Sequence, residues 1–261
     1  MVTAMPKQIN HRAEIQDETE VHSPEGWNVR NYDVVNSTNL VAASFPAWTV
    51  VRANQQNHGR GRFQRKWISD AGGLWFSAVI PINSDSATAG TLPLAAGLAV
   101  CDSFCQLGVP QLRMRWPNDV LVQDRKLAGL LLDQFTPGLC VVGIGINVHN
   151  RPEALDASLE FRITRLADVV PNPPELANLM GLVLRNIRRV QLDLESCGFD
   201  SLLPRVNQLW GAPRRVELDL DGELHRGAFM GVDAQGRLIL AKDTGATSAY
   251  APHQVRHLQE I

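Results

Sequence analysis

The pattern of hydrophobic positions predicts many short strands and a few helices. Ser37, Thr38 and Asn39 offer capping side chains for a short helix that begins there. Two longer stretches, 91–107 and 175–195, have the length and apolar spacing of helices. Shorter apolar runs, typical of buried strands, lie at 28–35, 49–53, 74–80, 112–116, 120–122, 126–133 and 140–148. The sequence therefore predicts an α+β protein.

The pattern changes after Trp210. Residues 216–220 alternate between apolar and polar, Asp221-Gly222 is a hairpin turn signal, and 234–236 turns again before an apolar run. These features predict a small all-β domain at residues 212–261. Residues 23–211 form the larger α+β domain, and the polar residues 1–22 are expected to be a disordered leader.

Composition narrows the class of protein. Of 261 residues, 44% are hydrophobic and 20% are charged, which is typical of a globular protein. No apolar run is long enough for a membrane span, and the polar first twenty residues do not resemble a signal peptide, so we expect a cytoplasmic protein. A net charge of −2 disfavours a dedicated DNA- or RNA-binding protein, and four cysteines are too few for a disulfide framework.

A basic, glycine-containing loop carries the clearest chemical signal. Between Val51 and Ser69 lie four arginines, one lysine and no carboxylate, and Gly59 and Gly61 alternate with arginines. Glycine permits positive φ, so that successive backbone N–H groups can face one anion, and arginine adds forked donors. The loop is therefore predicted to close over an anionic ligand. A solvated basic loop and an RNA contact are the alternatives.

Three further segments carry polar residues beside apolar runs. In 115–119, Asn118 is a candidate for a base edge and Asp119 for a cation or a sugar hydroxyl, although a simple Asx turn explains both. Lys126 opens an apolar run; facing inward it needs an anionic partner, and facing outward it needs none. The strand 143–148 contains two glycines and Asn147, which predicts a close approach by a ligand or a second backbone.

Taken in order, these segments resemble the biotin protein ligase family. The resemblance rests on Ser37-Thr38-Asn39, Gln56 with Gly59-Arg60-Gly61-Arg62, Arg65-Lys66-Trp67, Trp116-Pro117-Asn118-Asp119, Asp124-Arg125-Lys126-Leu127-Ala128-Gly129 and Gly143-Ile144-Gly145-Ile146-Asn147. It implies a catalytic domain like that of class II aminoacyl-tRNA synthetases, followed by an SH3-like β-barrel. It also implies the monofunctional type, because too few residues precede the catalytic region for a DNA-binding domain.

The resemblance implies a reaction and its partners. Family members join biotin to ATP as biotinyl-5′-AMP, with Mg²⁺, and pass biotin to a lysine of a biotin carboxyl carrier protein. Neither DNA nor a membrane is an expected partner, and both a monomer and a homodimer stay open. The alternatives are a lipoate or octanoate ligase or transferase of related fold, and a biotin-binding module without turnover.

The resemblance also assigns residues to roles. Lys126, Arg60 and Arg62 are the expected catalytic residues. The expected biotin site comprises Ser37, Thr38, Asn39, Gln56, Gly59, Arg60, Gly61, Arg62, Lys126 and Gly129. The expected ATP and adenylate site comprises Arg62, Arg65, Trp67, Asn118, Asp119, Lys126 and Asn147, and no metal ligand is assigned.

Two positions depart from the family pattern. Gln64 occupies a position where the family usually has glycine, and Arg115 one where it often has lysine. If position 64 needs positive φ, glutamine there costs on the order of 1 kcal/mol, which puts loop closure in question.

Overall fold

The computed structural model describes residues 16–22, 26–82, 86–154, 156, 162–211 and 213–261. None of the helices among these residues combines the length and the apolar character that a membrane crossing requires.

The larger sheet has eight strands and forms the centre of the molecule. They are β1 (Gln16–His22), β2 (Asn28–Val35), β3 (Thr49–Gln56), β4 (Leu74–Pro81), β5 (Leu112–Arg115), β6 (Asp119–Val122), β7 (Arg125–Thr136) and β8 (Leu139–Ile146). Their order is β1-β2-β3-β4-β8-β7-β6-β5, and only β2 and β3 run parallel. The seven strands predicted from apolar runs are thus all present.

Helices cover this sheet on both faces. They are α1 (Thr38–Ala42), α2 (Ser86–Gln106), α3 (Leu166–Val169), α4 (Leu176–Cys197) and α5 (Leu203–Gln208). On β4, Ala78 and Ile80 belong to the main core with α2 and α4, whereas Val79 packs in a smaller cluster with α1. Because side chains alternate along a strand, Ser77 faces the α1 side, where its hydroxyl meets Thr38 and Asn39.

The smaller sheet is formed by the carboxy-terminal residues. Its five antiparallel strands are β9 (Arg214–Leu220), β10 (Glu223–Val232), β11 (Leu238–Ala241), β12 (Thr247–Tyr250) and β13 (His257–Glu260), in the order β12-β11-β10-β9-β13. Leu218 and Phe229 of this sheet belong to the same buried core as the larger sheet. The boundary at 211/212 stays a prediction, since the core continues across it.

The amino-terminal segment differs from expectation. Residues Gln16–His22, predicted to be part of a disordered leader, form β1, which pairs antiparallel with β2 from Gln16 opposite Val34 to His22 opposite Asn28. The prediction of disorder is therefore wrong for this segment. The edge of β2 offers backbone N–H and C=O groups, so a polar segment can be ordered by backbone pairing alone. The rest of the predicted leader, residues 1–15, lies outside the described residues.

Candidate active site

A cavity of about 230 Å³ lies where α1, the basic loop and the glycine-containing strands β7 and β8 meet. Its lining includes most of the predicted site residues: Ser37, Thr38, Asn39, Gln56, Arg60, Gly61, Arg62, Arg65, Trp67, Asn118, Asp119, Lys126 and Gly129. The carboxy-terminal sheet adds Arg256, His257 and Leu258. Segments far apart in sequence thus form one site.

One end of the cavity is polar and uncharged. The backbone N–H of Thr38 donates to Gln56 Oε1 at 2.8 Å, and Thr38 Oγ1 lies 3.1 Å from the same oxygen. Gln56 Nε2 donates to Ser69 Oγ at 2.8 Å, which fixes the orientation of the amide. Behind Thr38, Ser77 Oγ lies 2.7 Å from Thr38 Oγ1 and 2.6 Å from Asn39 Oδ1. This end presents hydrogen-bonding groups held in place from behind.

Asn39 lines the cavity, but its amide is engaged with the protein. Its Nδ2 donates to Leu131 O at 3.2 Å and to Asp133 Oδ2 at 2.8 Å. A Cβ at Gly143 would lie 2.0 Å from Asn39 Oδ1, so β8 can accommodate this amide only with glycine there. The close approach predicted from the glycines of β8 is thus made, at this position, by a side chain of the protein.

The basic loop folds back on itself. Gly61 N donates to Arg65 O at 2.7 Å, and Trp67 N donates to Gly59 O at 2.9 Å. The left-handed conformations fall on Phe63 (φ 54°) and Gln64 (φ 59°), whereas Gly61 is extended with φ −108° and Gly59 is not among the positive-φ glycines. The proposed reason for the two glycines, positive φ, is therefore wrong, while the need for positive φ at position 64 is confirmed.

Steric room explains Gly59 instead. A Cβ at this position would lie 2.4 Å from Trp67 O and 2.5 Å from Ser69 Oγ, closer than such atoms approach in folded proteins. The first glycine of the loop is needed so that two backbone segments can pair. It lies outside the cavity lining, as does Asn147.

Three loop side chains bind the carboxy-terminal residues. Arg62 Nη2 donates to Pro252 O at 2.5 Å and to Val255 O at 3.0 Å, and Arg65 Nη2 donates to Arg256 O at 3.2 Å. The guanidinium groups of Arg62 and Arg256 both lie over the Phe63 ring, at 4.8 and 4.7 Å from its centre. Burial lowers the pKa of Arg62 to about 10. The predicted contacts of Arg62 and Arg65 with phosphate stay a prediction, and both side chains are anchored beside the cavity.

Lys126 faces the cavity and has the anionic partner that an inward-facing lysine needs. Its Nζ lies 2.6 Å from Asp119 Oδ1, and Arg115 Nη2 lies 2.7 Å from Asp119 Oδ2. Burial alone would raise the pKa of Asp119, but the two cations outweigh it and hold this pKa below its usual range. Lys126 Nζ also lies 4.8 Å from the centre of the Trp67 ring. Asp119 is therefore a doubly paired carboxylate.

The Trp67 ring lies on the glycines of the two central strands. A Cβ at Gly145 would be 2.7 Å from Trp67 Nε1, and one at Gly129 would be 3.0 Å from Trp67 Cζ3. Within the described residues, the buried Nε1 has no hydrogen-bond acceptor. The ring therefore forms a flat wall of the cavity with one donor unused.

The asparagines at the ends of the strands are bonded within the protein. Asn118 Nδ2 donates to Leu130 O at 2.5 Å. Asn147 Nδ2 donates to Lys126 O at 3.4 Å, and Asn147 Oδ1 accepts from Asn150 Nδ2 at 3.0 Å. Asn147 thus supports the backbone of Lys126 from behind the cavity.

Comparison with known proteins shows the family of this chain. Residues 32–149 match the model of the Biotin/lipoate A/B protein ligase family. The Biotin--[acetyl-CoA-carboxylase] ligase of Mycobacterium tuberculosis is 32% identical over 254 residues, which cover 90% of this chain and 91% of that protein. This chain belongs to the biotin protein ligase family. The Bifunctional ligase/repressor BirA of Escherichia coli is 30% identical over 229 residues, covering 84% of this chain and 71% of that protein.

The family's fold is also evident from solved structures. The biotin protein ligase from Aquifex aeolicus in complex with biotin and ATP superposes with a TM-score of 0.78 at 24% identity, covering 89% of this chain and 99% of that chain. At this identity the likeness shows the mixed α+β fold alone.

Sequence reasoning missed several residues in and around this cavity. Ser77 and Asp133 hold Thr38, Asn39 and Arg60 from behind. Ser77 did carry a signal, since it is the one polar residue in the apolar run 74–80. The lining residues Arg256, His257 and Leu258 carried none, because nothing in the local sequence indicates that β13 lies beside the basic loop.

Proposed function

We propose that this chain activates biotin with ATP as biotinyl-5′-AMP and transfers the biotinyl group to a lysine of a biotin carboxyl carrier protein. One observation carries the proposal: a single cavity is lined both by neutral hydrogen-bonding groups, at Thr38 and Gln56, and by the cationic side chains of Lys126 and Arg60. Biotin has a neutral cyclic urea and a carboxylate, and it has to meet a polyanionic nucleotide. The names of the relatives favour biotin over lipoate as the acid.

In the first step, the biotin carboxylate attacks the α-phosphorus of ATP and pyrophosphate leaves. We assign the cyclic urea to Ser37, Thr38 and Gln56, and the carboxylate to Arg60 and Lys126. Two anions repel each other, and fixed cations at the point of contact offset that repulsion and stabilise charge on the transferring phosphorus. Asp119 holds the Lys126 ammonium in the cavity through an ion pair of 2.6 Å.

The nucleotide lies, by this proposal, between the basic loop and the Trp67 wall. Arg62 and Arg65 already lie beside the cavity, held by neutral carbonyl groups of the carboxy-terminal residues. A phosphate oxygen is a stronger acceptor for a guanidinium group than a carbonyl oxygen is, because it carries a negative charge. The two arginines can therefore move to a bound phosphate at little cost. Asn118 and Asn147 support this side through backbone contacts.

In the second step, the lysine amine of the carrier attacks the acyl carbon of the adenylate, the anhydride bond breaks and AMP leaves. The attacking group comes from the partner protein, so no serine or cysteine nucleophile is needed. The mixed anhydride reacts with water, and the closed basic loop with the Trp67 ring protects it by excluding solvent.

The described residues do not provide a magnesium site of their own. They contain no group of three or more histidine, cysteine, aspartate or glutamate side chains suited to a metal ion. Both oxygens of Asp119 are paired with Lys126 and Arg115. We therefore expect Mg²⁺ to enter with the nucleotide phosphates as part of the substrate.

At the level of fold, we assign the eight-stranded sheet and its helices to the type found in class II aminoacyl-tRNA synthetases. We assign the five-stranded antiparallel sheet to the SH3-like barrels. The antiparallel strands and the helices on both faces of the larger sheet support this assignment.

One incubation tests the function. The chain is mixed with ATP, Mg²⁺, biotin and an apo carrier domain, and the intact mass of the carrier is measured. A mass increase of one biotinyl group is expected, and it should depend on both ATP and biotin. Labelling with lipoate and not with biotin would favour the lipoate alternative. Tight biotin binding without labelling would favour the non-catalytic module.

A further inference from the structure

Asp133, on β7, is a carboxylate that two residues of the proposed biotin site share. Its Oδ2 accepts from Asn39 Nδ2 at 2.8 Å and lies 3.5 Å from Arg60 Nη2. Asn39 is nine-tenths or more buried, and about 28% of the Asp133 side chain is exposed. Neither the motifs nor the cavity lining includes this residue. Its effect on a ligand is therefore indirect and passes through these two partners.

Asp133 and the backbone oxygen of Leu131 together determine which way the Asn39 amide faces. A carboxylate only accepts hydrogen bonds, and so does the backbone oxygen of Leu131, 3.2 Å from Asn39 Nδ2. Both acceptors require the NH₂ group of Asn39 on their side. Asn39 Oδ1 consequently faces Ser77. Because an amide oxygen cannot donate, the 2.6 Å contact requires Ser77 to donate its one hydroxyl hydrogen.

The orientation of the Asn39 amide also determines which way the Thr38 hydroxyl points. With its hydrogen directed to Asn39, Ser77 can only accept across the 2.7 Å contact with Thr38 Oγ1, so Thr38 is the donor there. No hydroxyl hydrogen then remains for Gln56 Oε1, 3.1 Å from Thr38 Oγ1. Gln56 Oε1 itself accepts from the Thr38 N–H. The cavity is thus left with two acceptor oxygens side by side.

We propose that Asp133 is a specificity-determining positioning residue, which orients this hydrogen-bond chain so that the cavity accepts from a ligand N–H group. The inference rests on the proposed function and names the ligand chemistry at that end of the site. A cyclic urea has N–H donors that match two adjacent oxygens. The dithiolane ring of lipoate has none, so the same orientation disfavours lipoate. Asp133 also keeps Arg60 next to the site.

The test is calorimetric titration of the full chain with biotin, and separately with ATP. Asp133→Asn leaves Leu131 O as the one fixed acceptor and allows the new amide to present a donor to Asn39, which weakens the preference of the hydrogen-bond chain for one direction. Biotin is expected to bind about tenfold more weakly, as for a lost charge-assisted hydrogen bond, with ATP affinity unchanged. Asp133→Glu keeps the acceptor and should recover most of the affinity. The control, Asp33→Asn, removes an exposed carboxylate on β2 and should change neither affinity.

A second variant separates orientation from a merely structural role. Ser77→Ala removes the hydroxyl that links Asn39 to Thr38 in the series of hydrogen bonds. It should weaken biotin binding by a similar factor. If Asp133 acts through this series of hydrogen bonds, the double variant Asp133→Asn/Ser77→Ala should bind biotin no more weakly than the weaker-binding of the two single variants. If the two residues act independently, the two fold-losses of affinity should multiply. This pattern of affinities is not expected from a general loss of stability.

The outcomes are distinguishable. A wild-type chain that binds no biotin would refute the proposed function. Wild-type affinity in Asp133→Asn would overturn this inference alone, and so would effects that multiply in the double variant. If Asp133→Asn does not fold, unchanged biotin affinity in Ser77→Ala overturns it.

Discussion

Lys126 Nζ lies 2.6 Å from Asp119 Oδ1, while the other oxygen of that carboxylate binds Arg115. The amine is thereby held at the cavity by a carboxylate whose pKa the two cations hold below its usual range. Because Asp119 also binds Arg115, it keeps one cationic partner if Lys126 is removed. The lysine can therefore be tested without leaving a buried carboxylate unpaired.

Lys126→Ala is expected to reduce biotin-dependent exchange of pyrophosphate into ATP by at least about 100-fold, since a fixed cation at the reacting groups is lost. Circular dichroism should show an unchanged fold. Lys242→Ala, in the carboxy-terminal sheet region away from the cavity lining, is the matched control and should exchange like the wild type. Wild-type exchange in Lys126→Ala would contradict the assigned role.

The two glycines of the basic loop should differ in how well they tolerate substitution by alanine. A Cβ at Gly59 would collide with Trp67 O at 2.4 Å, whereas one at Gly61 would meet Arg65 O at an ordinary 3.6 Å. Gly59→Ala should lower the free energy of unfolding by about 1–3 kcal/mol, as overpacking does. Gly61→Ala should leave it unchanged or raise it by up to about 1 kcal/mol. Urea denaturation measures both, and equal losses would contradict the steric argument.

Gln64 is a second test of backbone conformation. Its φ of 59° costs on the order of 1 kcal/mol for a residue with a side chain. Gln64→Gly removes this strain while adding freedom to the unfolded chain by a similar amount. The free energy of unfolding should therefore change by less than about 0.5 kcal/mol, whereas Gln55→Gly, in strand β3, should lose about 0.5–1 kcal/mol. A loss at Gln64 as large as that at Gln55 would argue against strain.

Nucleotide binding should be linked to proton uptake at His257. Burial, Arg65, Arg115 and Arg162 lower the pKa of His257, and Asp219 partly opposes them. The pKa of His257 in the folded protein therefore lies below the ordinary value of about 6.5. As the pH falls below that value, the unfolded state takes up a proton at His257 before the folded state does, so the free energy of unfolding should decrease. An ATP polyanion in the cavity counteracts the arginines and raises this pKa.

ATP binding near pH 6 is accordingly expected to take up protons. Calorimetry in two buffers with different ionisation enthalpies measures the uptake. His257→Gln, which has no titratable group, should reduce it. Equal uptake by the wild type and His257→Gln would place the coupling elsewhere.

The sequence predicted what depends on local pattern. Buried strands such as β4 and β8 have runs of apolar residues, and the hairpin at Asp221-Gly222 has turn residues, so both were predictable. For Lys126 the local pattern left both an inward and an outward position open, and only the resemblance to the ligase family favoured the inward one.

Contacts between distant segments were not predictable in this way. Arg62 binds Pro252, 190 residues later in the chain, and nothing near either residue signals this contact. The positive φ values fell on Phe63 and Gln64 because the loop has to turn there to pair Gly59 with Trp67. Strand β1 is ordered by pairing with β2, which an apolar pattern does not record.

The pairing of Arg113 with Glu260 has a practical consequence. Arg113 is 7% exposed, and it donates to both oxygens of Glu260 at 2.7 and 2.6 Å, one residue before the last in the sequence. Trimming Glu260 would leave this guanidinium with Asp124, at 2.5 Å, as its main counter-charge. Cleavage of the backbone between Val255 and Glu260 should therefore free the larger sheet from one of its anchors on the smaller one.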